Sequence, residues 1–214
     1  IIAKVNAGPR TITVQGLIRD RYTVATDAPS LNVGNIIDVT LANLHMEFQE
    51  GGPGQMLVNL TRCRPTIENV SLKRSGLHGL KIQRSMGVRV HGLHGENIGN
   101  GADAKDGNVG YAISLSSSVD MLIDGLRTHG CRRAIDFGGT DSAGPCRDAL
   151  VTNFYIDGGG APAYGSEEYQ PDGNTPSYAV GMHGPCDNAT FAHGTIVGVG
   201  SGVTVRGIDT TIES

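Results

Sequence analysis

The amino-acid sequence predicts an all-β fold, a parallel β-helix solenoid of about seven coils with long loop insertions. Three observations carry the prediction: a short apolar motif recurs at coil-length intervals, a second motif sits at a constant distance upstream of it, and glycine is in excess where helical periodicity is nearly absent.

The first motif reads apolar, any residue, apolar, any residue, then Asn or Gly, then usually another apolar residue. It ends at Gly16 (after Ile12 and Val14), Asn43 (Val39, Leu41), Asn69 (Ile67), Gly92 (Val88, Val90) and Gly125 (Met121, Ile123). Further copies end at Asn153 (Val151) and, degenerately, at Gly194 (Ala192). The markers thus recur with a period in the middle twenties, lengthened by insertions before Gly125, Asn153 and above all Gly194. The second motif places a small residue before apolar-x-apolar: Gly79-Leu80-Lys81-Ile82, Ala112-Ile113-Ser114-Leu115, Ala134-Ile135-Asp136-Phe137 and Ala179-Val180-Gly181-Met182, with Ser30 before Leu31-Asn32-Val33. From its first apolar residue to the Asn/Gly marker the offset is 12 in three copies: 31 to 43, 80 to 92 and 113 to 125.

Period-two alternation denotes strands with one buried face. Strands this short are unstable alone, and stacking each coil on the next gives them a continuous core. The Asn/Gly marker denotes a corner in the left-handed backbone region, which Gly adopts freely and Asn tolerates. A β-sandwich is the alternative fold, but it calls for hairpin turn signals every 8–12 residues or so, and the coil-length repeat explains the spacing better.

The repeated apolar-x-apolar-x-Asn/Gly-apolar segments, with loops of unequal length between them, resemble the right-handed parallel β-helix of pectin-lyase-like proteins. The resemblance covers roughly residues 11–208. That group includes polysaccharide lyases and hydrolases and the tailspikes and appendages of bacteriophages. Polygalacturonase-like enzymes in it carry Asn-Thr-Asp, Asp-Asp and Gly-His-Gly, of which only Met182-His183-Gly184 comes near. The Arg-x-Pro-x-x-Arg pattern of pectate lyases is unmatched at Arg64-Pro65. Classical pectinase motifs are therefore absent. What the resemblance implies is a virion-associated tailspike or tail-fibre-like protein that binds host cell-surface polysaccharide or lipopolysaccharide. As a tail appendage (otherwise extracellular), it is expected to be a homotrimer in contact with other virion tail proteins. An active glycan depolymerase, hydrolase or lyase, and a non-binding structural module of a tail or capsid are the alternatives.

Composition limits the choices further. The 214 residues suit one domain, 1–214, read as a fragment or processed part of a longer chain because the pattern is already running at Ile1. The formal charge of −4 argues against a nucleic-acid partner, which needs a basic face to displace counterions. No apolar run reaches the ~20 residues that cross a bilayer, so no membrane insertion is expected. Cys63, Cys131, Cys146 and Cys186 lack metal-ligand spacing and read as free buried thiols. No metal and no cofactor is expected. The sequons at Asn59, Asn69 and Asn188 are formal only.

Function is expected where loops of variable length stand on a rigid scaffold. Insertions are assigned to 95–110, 138–145 and 158–177, the first and last leaving one corner with a short turn, Thr128 to Arg133, between them. Alignment on the markers stacks outward residues from successive coils. One row, four after the marker, reads Glu96, His129, Asp157; another, just before it, reads Glu68, His91, Asp124, Thr152, His193. Residues two coils apart lie roughly 9–10 Å apart at the backbone. Glu96 and Asp157 can then reach the ~6.5–9.5 Å carboxyl separation of an inverting glycosidase, with His129 between them to orient or tune one. Glu96, His129 and Asp157 are the candidate catalytic residues. The same rows also suit plain solvated surface, where opposite charges on neighbouring strands offset one another. Asp136 is a further candidate, at an exposed strand position without a visible partner. Loop residues Asp103, Asp106, Tyr164, Glu167, Glu168, Tyr169 and Asp172 are the candidate glycan contacts, as acids and polar-tipped rings suit sugars. Asp103 to Asn108 offers oxygen ligands without full calcium-loop spacing.

Overall fold

The chain is described by a computed structural model over residues 2–6, 11–14, 36–47, 56–75, 77–99, 110–138, 144–159, 178–182, 184 and 186–213. It divides into two compact units, Ile1–Asn35 and Ile36–Ser214.

In the first unit β1 (Ile2–Asn6) and β2 (Thr11–Val14) pair antiparallel, Val5 opposite Ile12. The repeat assigns Ile12 and Val14 to a parallel strand, and the pairing differs for a simple reason. Only Ala7-Gly8-Pro9-Arg10 joins the two strands, whereas a parallel crossover needs a dozen or more residues.

The second unit contains, in order, β3 (Ile37–Glu47), β4 (Val58–Thr61), β5 (Cys63–Lys73), β6 (His78–Gln83), β7 (Met86–Glu96), β8 (Tyr111–Ser116), β9 (Val119–Asp124), β10 (Arg127–His129) and β11 (Arg133–Gly138). Then follow β12 (Cys146–Thr152), β13 (Tyr155–Asp157), β14 (Tyr178–Met182), β15 (Cys186–Ala192), β16 (Thr195–Val197), β17 (Val203–Thr204) and β18 (Thr211–Glu213). Every strand pairing described in this unit is parallel, and the described residues contain no helix.

The pairs fall into three ladders. The first runs through the leading halves of β3, β5 and β7 into β9, β12, β15 and β18. The second takes the trailing halves of β3, β5 and β7 and continues through β10, β13 and β16. The third is β4, β6, β8, β11, β14, β17. One inward row of the first ladder reads Leu41, Ile67, Val90, Ile123, Val151, Phe191, Ile212. From Leu41 to Val151 its members keep step with the markers Asn43, Asn69, Gly92, Gly125 and Asn153, each standing the same distance before its own. The third ladder aligns Val58, Leu80, Ile113, Ile135, Val180 and Val203. From Ile67 to Phe191 and from Leu80 to Val180 these rows are buried in one continuous core. Removing each such side chain from water stabilises the unit by about 1.5–3 kcal/mol.

The markers occupy the corner between the first and second ladders. Asn43, Asn69, Gly92, Gly125 and Asn153 have φ of 54°, 52°, 70°, 72° and 53°, and Asn69 Nδ2 donates to Asn43 Oδ1 at 3.4 Å. In the last copy the corner residue is His193 (φ 54°), not Gly194. Thr152 pairs with Ala192, so His193 leaves the outward row assigned to it from sequence. The last interval accordingly runs from Asn153 to His193 and stops just short of the Gly194 assignment.

The corner from the third ladder to the first is built from small hydrogen-bonding residues. Ser85 Oγ and Ser118 Oγ donate to the carbonyls two residues back, Gln83 and Ser116, at 2.9 and 3.1 Å. Cys63 Sγ lies 3.7 Å from Ser85 Oγ. Cys146 Sγ donates to Gly138 O at 3.3 Å and Leu115 O at 3.5 Å. All four cysteines are buried and free. Cys63 and Cys146 thus extend a row of hydroxyls and thiols along this corner, where the hydroxyls and Cys146 satisfy buried carbonyls.

Candidate functional site

The trailing halves of β3, β5 and β7, with β10, β13 and β16, present two adjacent outward rows. The row of the sequence-assigned candidates is longer than assigned: Glu47, Lys73, Glu96, His129, Asp157, Val197. Beside it run His45, Ser71, His94, Arg127, Tyr155 and Thr195. Period-two alternation puts both on one face, two residues apart along each strand. Tyr155 is 41% exposed, and His45, His94 and Arg127 are exposed as well.

Acids alternate with Lys73 and His129 along the first row from Glu47 to Asp157. Lys73 Nζ pairs with Glu96 Oε2 at 2.6 Å, and His129 Nδ1 lies 3.1 Å from Asp157 Oδ2. Glu47 pairs with Arg74, and its Oε2 lies 3.4 Å from His45 Nε2. The Lys73 ammonium holds the Glu96 carboxyl below the usual carboxylate range, aided by the charges of His94 and His129. The Gly159 N–H, donating to Asp157 Oδ1 at 2.8 Å, together with His129 lowers Asp157. His45 and then Arg74 lower Glu47. A general acid for glycoside cleavage needs the opposite shift. Three ionised carboxylates set among cations and imidazoles instead form a surface of hydrogen-bond acceptors and donors.

The 95–110 insertion joins the end of this face in β7 to β8, and the 158–177 insertion joins its end in β13 to β14. Between them the turn is Gly130 to Arg132, shorter than the Thr128 to Arg133 read from sequence because Arg127–His129 form a strand. The feet of the first insertion meet: a Cβ on Gly99 would stand 2.0 Å from Gly110 Cα. The loop candidates Asp103, Asp106, Tyr164, Glu167, Glu168, Tyr169 and Asp172 lie outside the described residues, as does Asp103 to Asn108.

The row before the marker reads Ala42, Glu68, His91, Asp124, Thr152, Ala192. His91 Nδ1 lies 3.6 Å from Asp124 Oδ2, and Asn153 Nδ2 donates to Asp124 Oδ1 at 2.8 Å.

A second polar cluster stands at the start of the third ladder, beyond what the sequence pattern assembles. Asp136 is buried and partnered, in contrast to the exposed, unpartnered position expected of it. Its Oδ1 accepts from Arg133 Nη1 at 3.3 Å, with both side chains 6% exposed. Arg133 also lies 3.4 Å from the Tyr111 hydroxyl, with its guanidinium 5.2 Å from that ring's centroid. Arg132 approaches the same ring at 5.9 Å, and His78 stacks on it at 5.0 Å. Burial lowers the His78 pKa to about 4, so its ring is neutral at pH 7. Gly181 sits beside the ion pair, where a Cβ would meet Asp136 Oδ1 at 3.2 Å. Strand alternation gives no signal for this pair, since an i,i+3 offset puts Arg133 and Asp136 on opposite faces of a regular strand; Arg133 stands at the first position of β11, next to a turn.

Among the described residues no group of three or more His, Cys, Asp or Glu side chains is placed to hold a metal ion, and no helix is long and apolar enough to cross a membrane. No protein-family model, curated protein or solved structure matches the chain. Fold and site define the class only as architecture: an all-β protein of parallel ladders with an exposed polar stripe on one of them.

Proposed function

We propose that the chain is a right-handed parallel β-helix of about seven coils that holds an extended cell-surface polysaccharide, in the manner of bacteriophage tailspikes and appendages. The supporting observation is the two-residue-wide stripe on the second ladder. It sets Tyr155, His94 and His45 beside Lys73, Arg127 and three ionised carboxylates, at the feet of two long insertions. Six strands at about 4.8 Å spacing give a straight polar track roughly 24 Å long, suited to a linear chain of sugars. An aromatic ring with a polar tip stacks on a sugar face while the charged groups bind its hydroxyls.

Binding without cleavage is favoured over depolymerisation because Glu96 and Asp157 are both held toward the ionised form. The binding surface belongs to a virion appendage, homotrimeric in this reading, whose partners are capsule or lipopolysaccharide and other tail proteins.

The test is a panel of purified capsular polysaccharides and lipopolysaccharides, titrated by calorimetry and followed for new reducing ends or unsaturated uronate absorbance. The expected result is saturable binding without product. Tyr155→Ala is expected to weaken it about 3- to 10-fold, the loss of one stacked ring. Product that disappears in Glu96→Gln or Asp157→Asn would establish the depolymerase instead. No binding to any glycan in the panel would leave the structural module.

A further inference from the structure

We propose that Cys146 and Cys186 are a disulfide-forming pair that joins neighbouring rungs of the first ladder. They are register partners at the first positions of the parallel strands β12 and β15. Both are 0% exposed and belong to the same core. Paired strands hold partner Cα atoms about 4.8 Å apart, inside the ~4.4–6.8 Å range of disulfides. In-register parallel strands keep Cβ atoms at about the same separation, so bridging requires them to close by somewhat under ~1 Å. First residues of strands, next to a corner, can absorb that movement.

The other two cysteines are placed differently. Cys63 faces the Ser85 hydroxyl, and Cys131 packs with Ile98 and Ala112 in a separate small cluster. Burial pushes the Cys131 thiol up to about 12, which makes it a poor nucleophile. In the proposed pair the neighbouring thiol lowers the pKa of Cys146 and raises that of Cys186. Either sulfur can open the exchange, and the route through Cys146 stands for both. With oxidised glutathione, the Cys146 thiolate displaces one glutathione thiolate and forms a mixed disulfide. The Cys186 thiolate then attacks the Cys146 sulfur and releases the second. The balance is two protein thiols and one glutathione disulfide to one protein disulfide and two glutathione thiols.

The experiment incubates the folded protein with oxidised glutathione, alkylates it in denaturant, and reads intact mass and a peptide map. Two alkylations fewer than in the reduced protein are expected, together with one cross-linked peptide pair containing Cys146 and Cys186. A Cys63→Ser/Cys131→Ser double variant keeps the bridge, and Cys146→Ser abolishes it. Glutathione left attached to the protein, or a bridge involving Cys63 or Cys131, would each overturn the proposal. Because full burial slows attack on the folded chain, the same readout is taken after refolding in a glutathione redox buffer. Failure to form the 146–186 bridge there as well is decisive against it.

Discussion

Asn69 illustrates how one residue type serves two purposes at once. Its φ of 52° is a left-handed conformation that Asn tolerates better than most residues, and its amide hydrogen-bonds the corner residue of the preceding rung, Asn43. Asn69→Ala is expected to destabilise the protein by about 1–2 kcal/mol through strain plus the lost bond. Asn69→Gly removes the strain and should cost less, a difference that urea unfolding measures directly. This chemistry is why Asn43, Asn69 and Asn153 are legible in the sequence. His193 is not, because the glycine that follows it, Gly194, fits the Asn/Gly rule and draws the assignment one residue on. A second left-handed row, Gly87, Asp120, Asp148 and Asn188, is equally hidden although its types fit the rule; it lies inside strands, where alternation draws attention to the flanking apolar residues. His78 carries the pH dependence. Its folded pKa of about 4 lies below the unfolded 6.5, so unfolded chains take up its proton first as pH falls. Stability is thus unaffected above about pH 6.5 and declines between there and pH 4, by on the order of 3 kcal/mol in total. The loss levels off below pH 4. His78→Phe retains a ring against Tyr111 and should flatten that part of a urea-midpoint-versus-pH curve.

At the scale of the strand, alternation separates residues that matter for stability from those that do not. In β9 and β10, Ile123 is fully buried whereas Arg127 is exposed. Ile123→Ala is expected to cost about 2–5 kcal/mol. Arg127→Ala should fall within about 0.5 kcal/mol in the same urea experiment. β11 departs from the rule, since its outward Asp136 is as buried as its inward Ile135 and Phe137. Asp136→Asn removes one buried charge of the Arg133–Asp136 pair and should destabilise by about 3–5 kcal/mol. That departure is illegible because period-two reasoning reports which side of a strand a residue faces, not what lies over that side. For the candidate site, strand-level reasoning places Glu96, His129 and Asp157 in one row, as the pairing does. It omits Lys73, which pairs with Glu96 from the preceding rung, because a search for carboxylates and histidines passes over a lysine.

Over the whole second unit, every described strand pairs only with strands of the rungs before and after its own. The two ends accordingly differ from the middle. Ile212 continues the buried row through Phe191 yet is 63% exposed, and Ile208 is 68% exposed. Amides of β16, β17 and β18 are expected to exchange with deuterium well before those of β8, β9 and β12, with mass spectrometry of peptides as the measurement. Architecture at this scale is the most legible part of the sequence, since the separation between paired segments appears directly as the spacing between Asn43, Asn69, Gly92, Gly125 and Asn153. What occupies the outer faces is not, as ladder spacing constrains backbone alone. Nearest-neighbour pairing also makes disturbance local. A defect at Ile67 has no contact route to Phe191 except through each rung between, so the effects of Ile67→Ala and Phe191→Leu should simply add. The ladder behaves as a column of coins: removing one unsettles the two it touched and leaves the rest of the pile uninformed.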